Sequence, residues 1–171
     1  MANAAQIARV VSPILGSAEA QTRFAAERLR RHGAIASPGQ GKPSNLSDSE
    51  ITLVLLAAML GAPHGNVPAR VLEYAEAEGH AGPTLGGLLT WLMKQPESLV
   101  RLSIDAATPH AVAVTEDDSV PRATEFGVPL TTPRPIIVAA DRWHEIVAAI
   151  RALPDTRSGR PSTIRNYKHD L

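Results

Sequence analysis

The side chains with the most chemistry to offer stand between Ser17 and His32, where Gln21, Arg23, Arg28, Arg30 and Arg31 accompany Ser17, Phe24 and Glu27. A guanidinium fork matches phosphate oxygens and the outer edge of guanine, and a glutamine amide matches adenine. At roughly 100° of helical rotation per residue, Thr22, Ala25, Ala26 and Leu29 share one face, with Ala20, Phe24, Glu27 and Arg31 opposite. Arg23 and Arg30 edge one flank, and Gln21 and Arg28 edge the other. A rod backed by small residues and edged by arginines can enter a major groove while its flanks reach phosphates. Gln21 and Arg23 are therefore the candidates for base edges, and Ser17, Phe24, Glu27, Arg28, Arg30 and Arg31 complete the helical part of a DNA-binding set. Lys42 joins them from the loop Ser37-Pro38-Gly39-Gln40-Gly41-Lys42, which is basic and glycine-rich and expected to lie along the phosphate backbone as a wing. Taken singly, a run such as Glu27 to Arg31 is usually a solvated helix face, and the loop usually only a turn; their combination points to nucleic acid.

Other chemistries find no constellation. His32, His64, His80, His110, His144 and His169 include no pair at the four-residue spacing that sets two ligands on one helix face. Glu116-Asp117-Asp118 lacks the ordered spacing of a calcium loop and reads as a solvated turn. No nucleotide-binding glycine loop and no Gly-x-Ser-x-Gly nucleophile turn is present, and the absence of cysteine removes thiol catalysis and thiolate metal sites. The expectation is a protein that is not an enzyme, with no catalytic residues, no metal and no cofactor. Two Phe, two Tyr and two Trp give no aromatic array for stacking single-stranded bases.

The elements that must hold the arginines follow from apolar spacing. Ile7, Val10, Val11, Ile14 and Leu15 put a stripe on a helix over 4–15, Gly16 breaks it, and Ser17 is the expected N-cap of a second helix that runs to His32 and stops at Gly33. Ser47 followed by Glu50 is a capping box ahead of the run from Ile51 to Leu60, which reads as a buried helix. Two more helices are expected over 67–78 and 84–93. From Ser98 the spacing changes to alternation: Val100, Leu102 and Ile104, then Ala111 to Val114, with Ala106-Ala107-Thr108-Pro109 as the turn of a hairpin. An irregular stretch follows, then a short strand at 136–138 and a helix over 142–153 carrying Trp143, Ile146, Val147 and Ile150, ended by Pro154. Trp91 and Trp143 are expected as core or subunit-interface anchors.

The fold class is thus α+β, mainly α. An N-terminal helical domain over 1–97 holds a (winged) helix-turn-helix at 5–33 and a basic loop at 36–46. A small β-hairpin/helix element spans 98–153, and 154–171 form a basic flexible tail. Charge follows the same division. Residues 1–45 carry six basic and two acidic side chains, a net of +4, and residues 154–171 a net of +2, so the middle is −6 in a chain of zero net charge. Basic ends and an acidic middle suit ends that meet a polyanion. No export signal or bilayer-length apolar run is present, which leads us to expect a cytoplasmic protein with no membrane partner.

The stretch from Ile7 to Met59, above all Leu15-Gly16, Glu19-Ala20, Arg23, Leu29-Arg30, Gly33, the Gly39-Gln40-Gly41-Lys42 loop and Leu46-Ser47, resembles small helix-turn-helix proteins associated with phage and prophage regions in alpha-proteobacteria. The resemblance covers about a third of the chain. It implies a transcription regulator whose second helix reads DNA and whose glycine-rich loop follows it. Thr22 and Ala25 depart from it, standing where larger apolar residues are usual. The expected function is sequence-dependent binding of double-stranded DNA as a homodimer, since one such helix contacts too little DNA for strong specificity. The alternative is a protein-interaction or phage packaging adaptor, in which the helix-turn-helix packs on a protein; the C-terminal element is a second place for a protein partner.

Overall fold

The computed structural model describes residues 2–37, 45–61, 66–79, 82–117, 119–129 and 135–154. Among these, the chain is a mixed α+β protein of six α-helices and one four-stranded antiparallel sheet. Most of the expected wing, residues 38–44 with Lys42, lies outside the described residues, as do Asp118 and residues 155–171 of the expected tail.

Helix α1 (Ala4–Leu15) opens on a reciprocal cap, in which the Asn3 side-chain oxygen accepts from the Gln6 N–H at 2.9 Å and the Gln6 side chain accepts from the Asn3 N–H at 2.9 Å. Its stripe of Ile7, Ala8 and Val11 is fully buried. Helix α2 (Glu19–His32) ends as its sequence dictates: Gly33 takes φ 84°, a left-handed conformation open to glycine at little cost, and its N–H reaches the Arg30 carbonyl. Its start differs from expectation. Ala18 is the N-cap and makes no side-chain cap bond, so the capping role assigned to Ser17 falls one residue off.

Helix α3 (Asp48–Met59) is apolar on every side and lies at the centre, packed by α1, α2, α4 (Val67–Glu76) and α5 (Leu85–Leu92). The Ser47–Glu50 capping box forms as expected. Helix α4 stops two residues short of the expected end, where Glu78 turns into an isolated bridge with Thr84.

A turn of 3₁₀ helix (Pro96–Ser98) leads into the sheet, whose order is β3-β2-β1-β4 from β1 (Leu99–Asp105), β2 (Ala111–Asp117), β3 (Val120–Phe126) and β4 (Pro135–Ala139). The expected hairpin is β1 and β2. The expected irregular stretch after it contains a full strand, β3, because Val120 to Phe126 pairs with β2 residue by residue despite Pro121 and two charges. That composition is tolerated on an edge strand, where one side of the ladder is free. Alternation in β1 is interrupted by a bulge between Leu99 and Arg101, which leaves Val100 exposed while Leu99, Leu102 and Ile104 are buried.

Helix α6 (Ala140–Arg151) follows β4 directly and covers the sheet's inner face with Trp143, Ile146 and Val147, while also packing on α1. The Trp143 indole donates to the Leu92 carbonyl at 3.3 Å. The helices and the sheet therefore share one apolar core, from Ile7 through Leu55 to Ile104 and Trp143. A second joint lies at the hairpin turn. The Tyr74 hydroxyl donates to the Asp105 carbonyl at 2.6 Å, Arg70 donates to the Ala106 carbonyl, and the Asp105 carboxylate accepts from the Ala107 N–H and the Thr108 hydroxyl. Burial pushes the Tyr74 phenol above its ordinary value, against the opposing pull of Arg70.

Candidate nucleic-acid interface

Helix α2 is oriented by its back. Thr22, Ala25, Ala26 and Leu29 are all buried, as helical spacing requires, against α1, α3 and α4. The small side chains allow close approach to α1, and the contact is fixed by the Ser12 hydroxyl, which donates to the Thr22 hydroxyl at 2.9 Å in a buried position. This leaves Ala20, Gln21, Arg23, Phe24, Arg28 and Arg31 exposed, with Glu27 and Arg30 half-buried at the edge. The structure thus brings the expected helical residues onto one outward surface, with two differences. The Ser17 hydroxyl is buried, without a hydrogen-bond partner among the described residues, and offers no exposed donor. Lys42 lies outside the described residues.

The arginines are not bare cations. Glu27 accepts from Arg30 at 2.8 Å and from Arg31 at 3.2 Å, and Glu19 stands 3.7 Å from Arg23. Hydrogen bonds from Arg31 and then Arg30 hold the Glu27 carboxyl below the usual carboxylate range. These pairs were within reach of sequence reasoning, since Glu19–Arg23, Glu27–Arg30 and Glu27–Arg31 have the three- and four-residue spacings at which helix side chains meet. Exposed pairs of this kind are individually weak and exchange readily for phosphate oxygens. Arg31 is 71% exposed and Arg23 60%, so both side chains can extend away from the helix.

Beside this surface a groove of about 530 Å³ runs between the start of α1 and the outer side of α2, lined by Asn3, Ala5, Arg23, Phe24, Glu27 and Arg30. Phe24, 49% exposed at its rim, is the one large apolar side chain on the outward surface of α2. Covering the exposed half of this ring stabilises a contact by about 1 kcal/mol, so whatever meets this surface gains from it.

Glu50 fixes the two ends of the glycine-rich loop. Its carboxylate accepts from the Ala36 N–H on the α2 side, and from the Ser47 N–H and hydroxyl at 2.8 Å each on the α3 side. Burial raises the Glu50 carboxyl, but the donors from Ala36 and Ser47 outweigh it and the net displacement is downward.

Elsewhere, His110 pairs with Glu125 at 3.0 Å and the His144 ring meets the Pro96 carbonyl at 2.9 Å, so both serve local contacts. Among the described residues no group of three His, Asp or Glu could hold a metal ion, and no helix is long and apolar enough to cross a membrane. Trp143 is fully buried, in keeping with a core anchor, whereas Trp91 is 40% exposed on α5. Comparison of the chain with protein-family models, with curated proteins and with solved structures gives no match.

Proposed function

We propose that the protein is a non-catalytic, cytoplasmic double-stranded DNA-binding protein that uses α1, the Gly16-Ser17-Ala18 turn and α2 as a helix-turn-helix, in transcriptional control of phage-like or chromosomal genes. The observation that carries this reading is the division of α2 into a buried back of Thr22, Ala25, Ala26 and Leu29 and an outward surface bearing Gln21, Arg23, Arg28 and Arg31. Gln21 and Arg23, near the start of α2, meet base edges, and Arg28, Arg30 and Arg31 meet phosphates. Lys42, between the two residues that Glu50 holds, adds a further phosphate contact. The protein acts as a homodimer, which sets two copies of α2 against successive turns of the duplex.

The test is binding of a random duplex at two salt concentrations by fluorescence anisotropy, followed by selection of bound sequences. The expected result is an affinity that falls steeply with salt and an enriched palindrome. Salt-insensitive or absent binding overturns the reading.

One observation favours a second reading, a protein-interaction or phage packaging adaptor. Phe24 is half exposed in the middle of the same surface, and Glu19 and Glu27 moderate its positive charge. A partner protein would bury Phe24 and exchange ion pairs at the rim. Phe24→Ala separates the two: it abolishes a protein contact centred on the ring and leaves the salt dependence of duplex binding unchanged.

A further inference from the structure

The two edges of the sheet are treated differently. On β3 the edge is blunted: Pro121 removes a donor, Arg122 and Glu125 are charged and exposed, and the end of the strand is already engaged, through a bridge from Gly79 to Phe126 and a bond from the Gly127 N–H to the Glu78 carbonyl at 3.3 Å. Such devices stop a sheet from recruiting further strands. Strand β4 is blunted less, by a proline at its end alone. It reads Pro-Ile-Ile-Val-Ala, carries no charge, has proline only at its first position, and pairs with β1 in unbroken register from Asp105↔Pro135 to Arg101↔Ala139. Among the described residues nothing pairs with its other edge. Ile137 projects from the outer face of the sheet 57% exposed, in a row with Ser103 and Val112.

We infer that β4 is a dimerisation edge, and that its occupant is β4 of a second copy of this chain, paired antiparallel about a twofold axis at Ile137. Three features select a second copy. The strand is uncharged, so it has no electrostatic preference for a basic or an acidic peptide. Antiparallel pairing of a strand with itself is closed by the twofold axis, giving each copy the same bonds. The blunted β3 edge blocks the alternative of β4 on β3, which would propagate into an open filament. In the paired state Ile137 faces its own copy, flanked by the two Ser103 side chains, and Pro135 faces Ala139 across the axis, so no like charges oppose one another along either row. The eight strands form one continuous sheet. This inference concerns self-association alone and does not depend on the DNA reading.

The chain has no cysteine, which permits a clean experiment on the full-length protein without DNA. Ile137→Cys sets two thiols across the axis at the about 4.5–5.5 Å Cβ spacing of directly opposed strand residues, close enough for a disulfide after small adjustment. The wild type is expected to sediment at twice 18.1 kDa and Ile137→Lys at 18.1 kDa. Under mild oxidation Ile137→Cys should cross-link several-fold faster than Val120→Cys, a comparably exposed site on the opposite edge. Circular dichroism checks that the lysine variant folds, and the smaller, uncharged cysteine variant carries the test if it does not. A monomeric wild type, a dimer that survives Ile137→Lys, or equal cross-linking at 120 and 137 each overturns the inference.

Discussion

The hydroxyl of Ser12 donates to that of Thr22 across the α1–α2 contact at 2.9 Å, with both side chains buried, and Thr22 in turn donates to the Ala18 carbonyl at 3.4 Å. This polar relay lies beside the small side chains of Ala25 and Ala26 and adds a directional contact to the packing of Leu29. Thr22→Val keeps the shape and removes the acceptor, and should lower stability by about 1–2 kcal/mol because the Ser12 hydroxyl is left unpaired. The Ser12→Ala, Thr22→Val double variant should recover most of that loss. Urea unfolding of the four proteins in the cycle gives the coupling, and additive losses would show the pair to be uncoupled.

Glu27 restrains two of the arginines on which the DNA reading depends. Glu27→Gln should release Arg30 and Arg31, tighten binding to random duplex, and steepen the salt dependence by up to about two phosphate contacts. Anisotropy titrations over a salt series measure the slope. A weaker or unchanged slope would count against α2 as the phosphate-facing helix, whereas for the adaptor reading neither protein binds duplex at all.

Acid should loosen the base of the glycine-rich loop. The Glu50 carboxyl lies below its ordinary value of 4.5 in the folded protein, so its contribution is complete above about that pH and is lost as pH falls through the lower, folded value. At neutral pH, Glu50→Gln should cost about 1 kcal/mol through the weakened cap. That difference from the wild type should shrink toward zero on acidification, as followed by thermal unfolding at a series of pH values. A difference independent of pH would mean that the charge of Glu50 has no part in the anchor.

Gly127 follows β3 with φ 70°, and a Cβ placed there would collide with the Pro109 carbonyl oxygen. Gly127→Ala therefore combines left-handed strain with a backbone clash, and should destabilise by about 2–4 kcal/mol. Hydrogen exchange should report the damage first in β2 and β3. Normal stability in this variant would show that the hairpin turn can move aside.

Helices were legible where apolar spacing and caps agreed. The α1 stripe, the Gly33 stop, the Ser47–Glu50 box and the buried run of α3 each combine a local signal with a long-range one, and each is found where the residues place it. The start of α2 was less clear, because the cap rule favours a serine, whereas the helix begins after Ala18 with no side-chain cap bond. Strand β3 could not be read from its own residues, since an edge strand is held by its neighbour's ladder rather than by hydrophobic alternation. The outward surface of α2 was legible from helical rotation alone, but its internal ion pairs depend on rotamers, which residue order constrains without fixing.

The neighbouring positions of Trp91 and the Trp143–Leu92 contact give the molecule two unlike optical probes on one helix junction. Trp143, sealed from water with its indole bonded to the carbonyl next to Trp91, should emit toward the blue and resist soluble quenchers, while Trp91 emits toward the red and is quenched freely. Separation of α6 from α5 would therefore change the colour of the emission before the helices themselves melt.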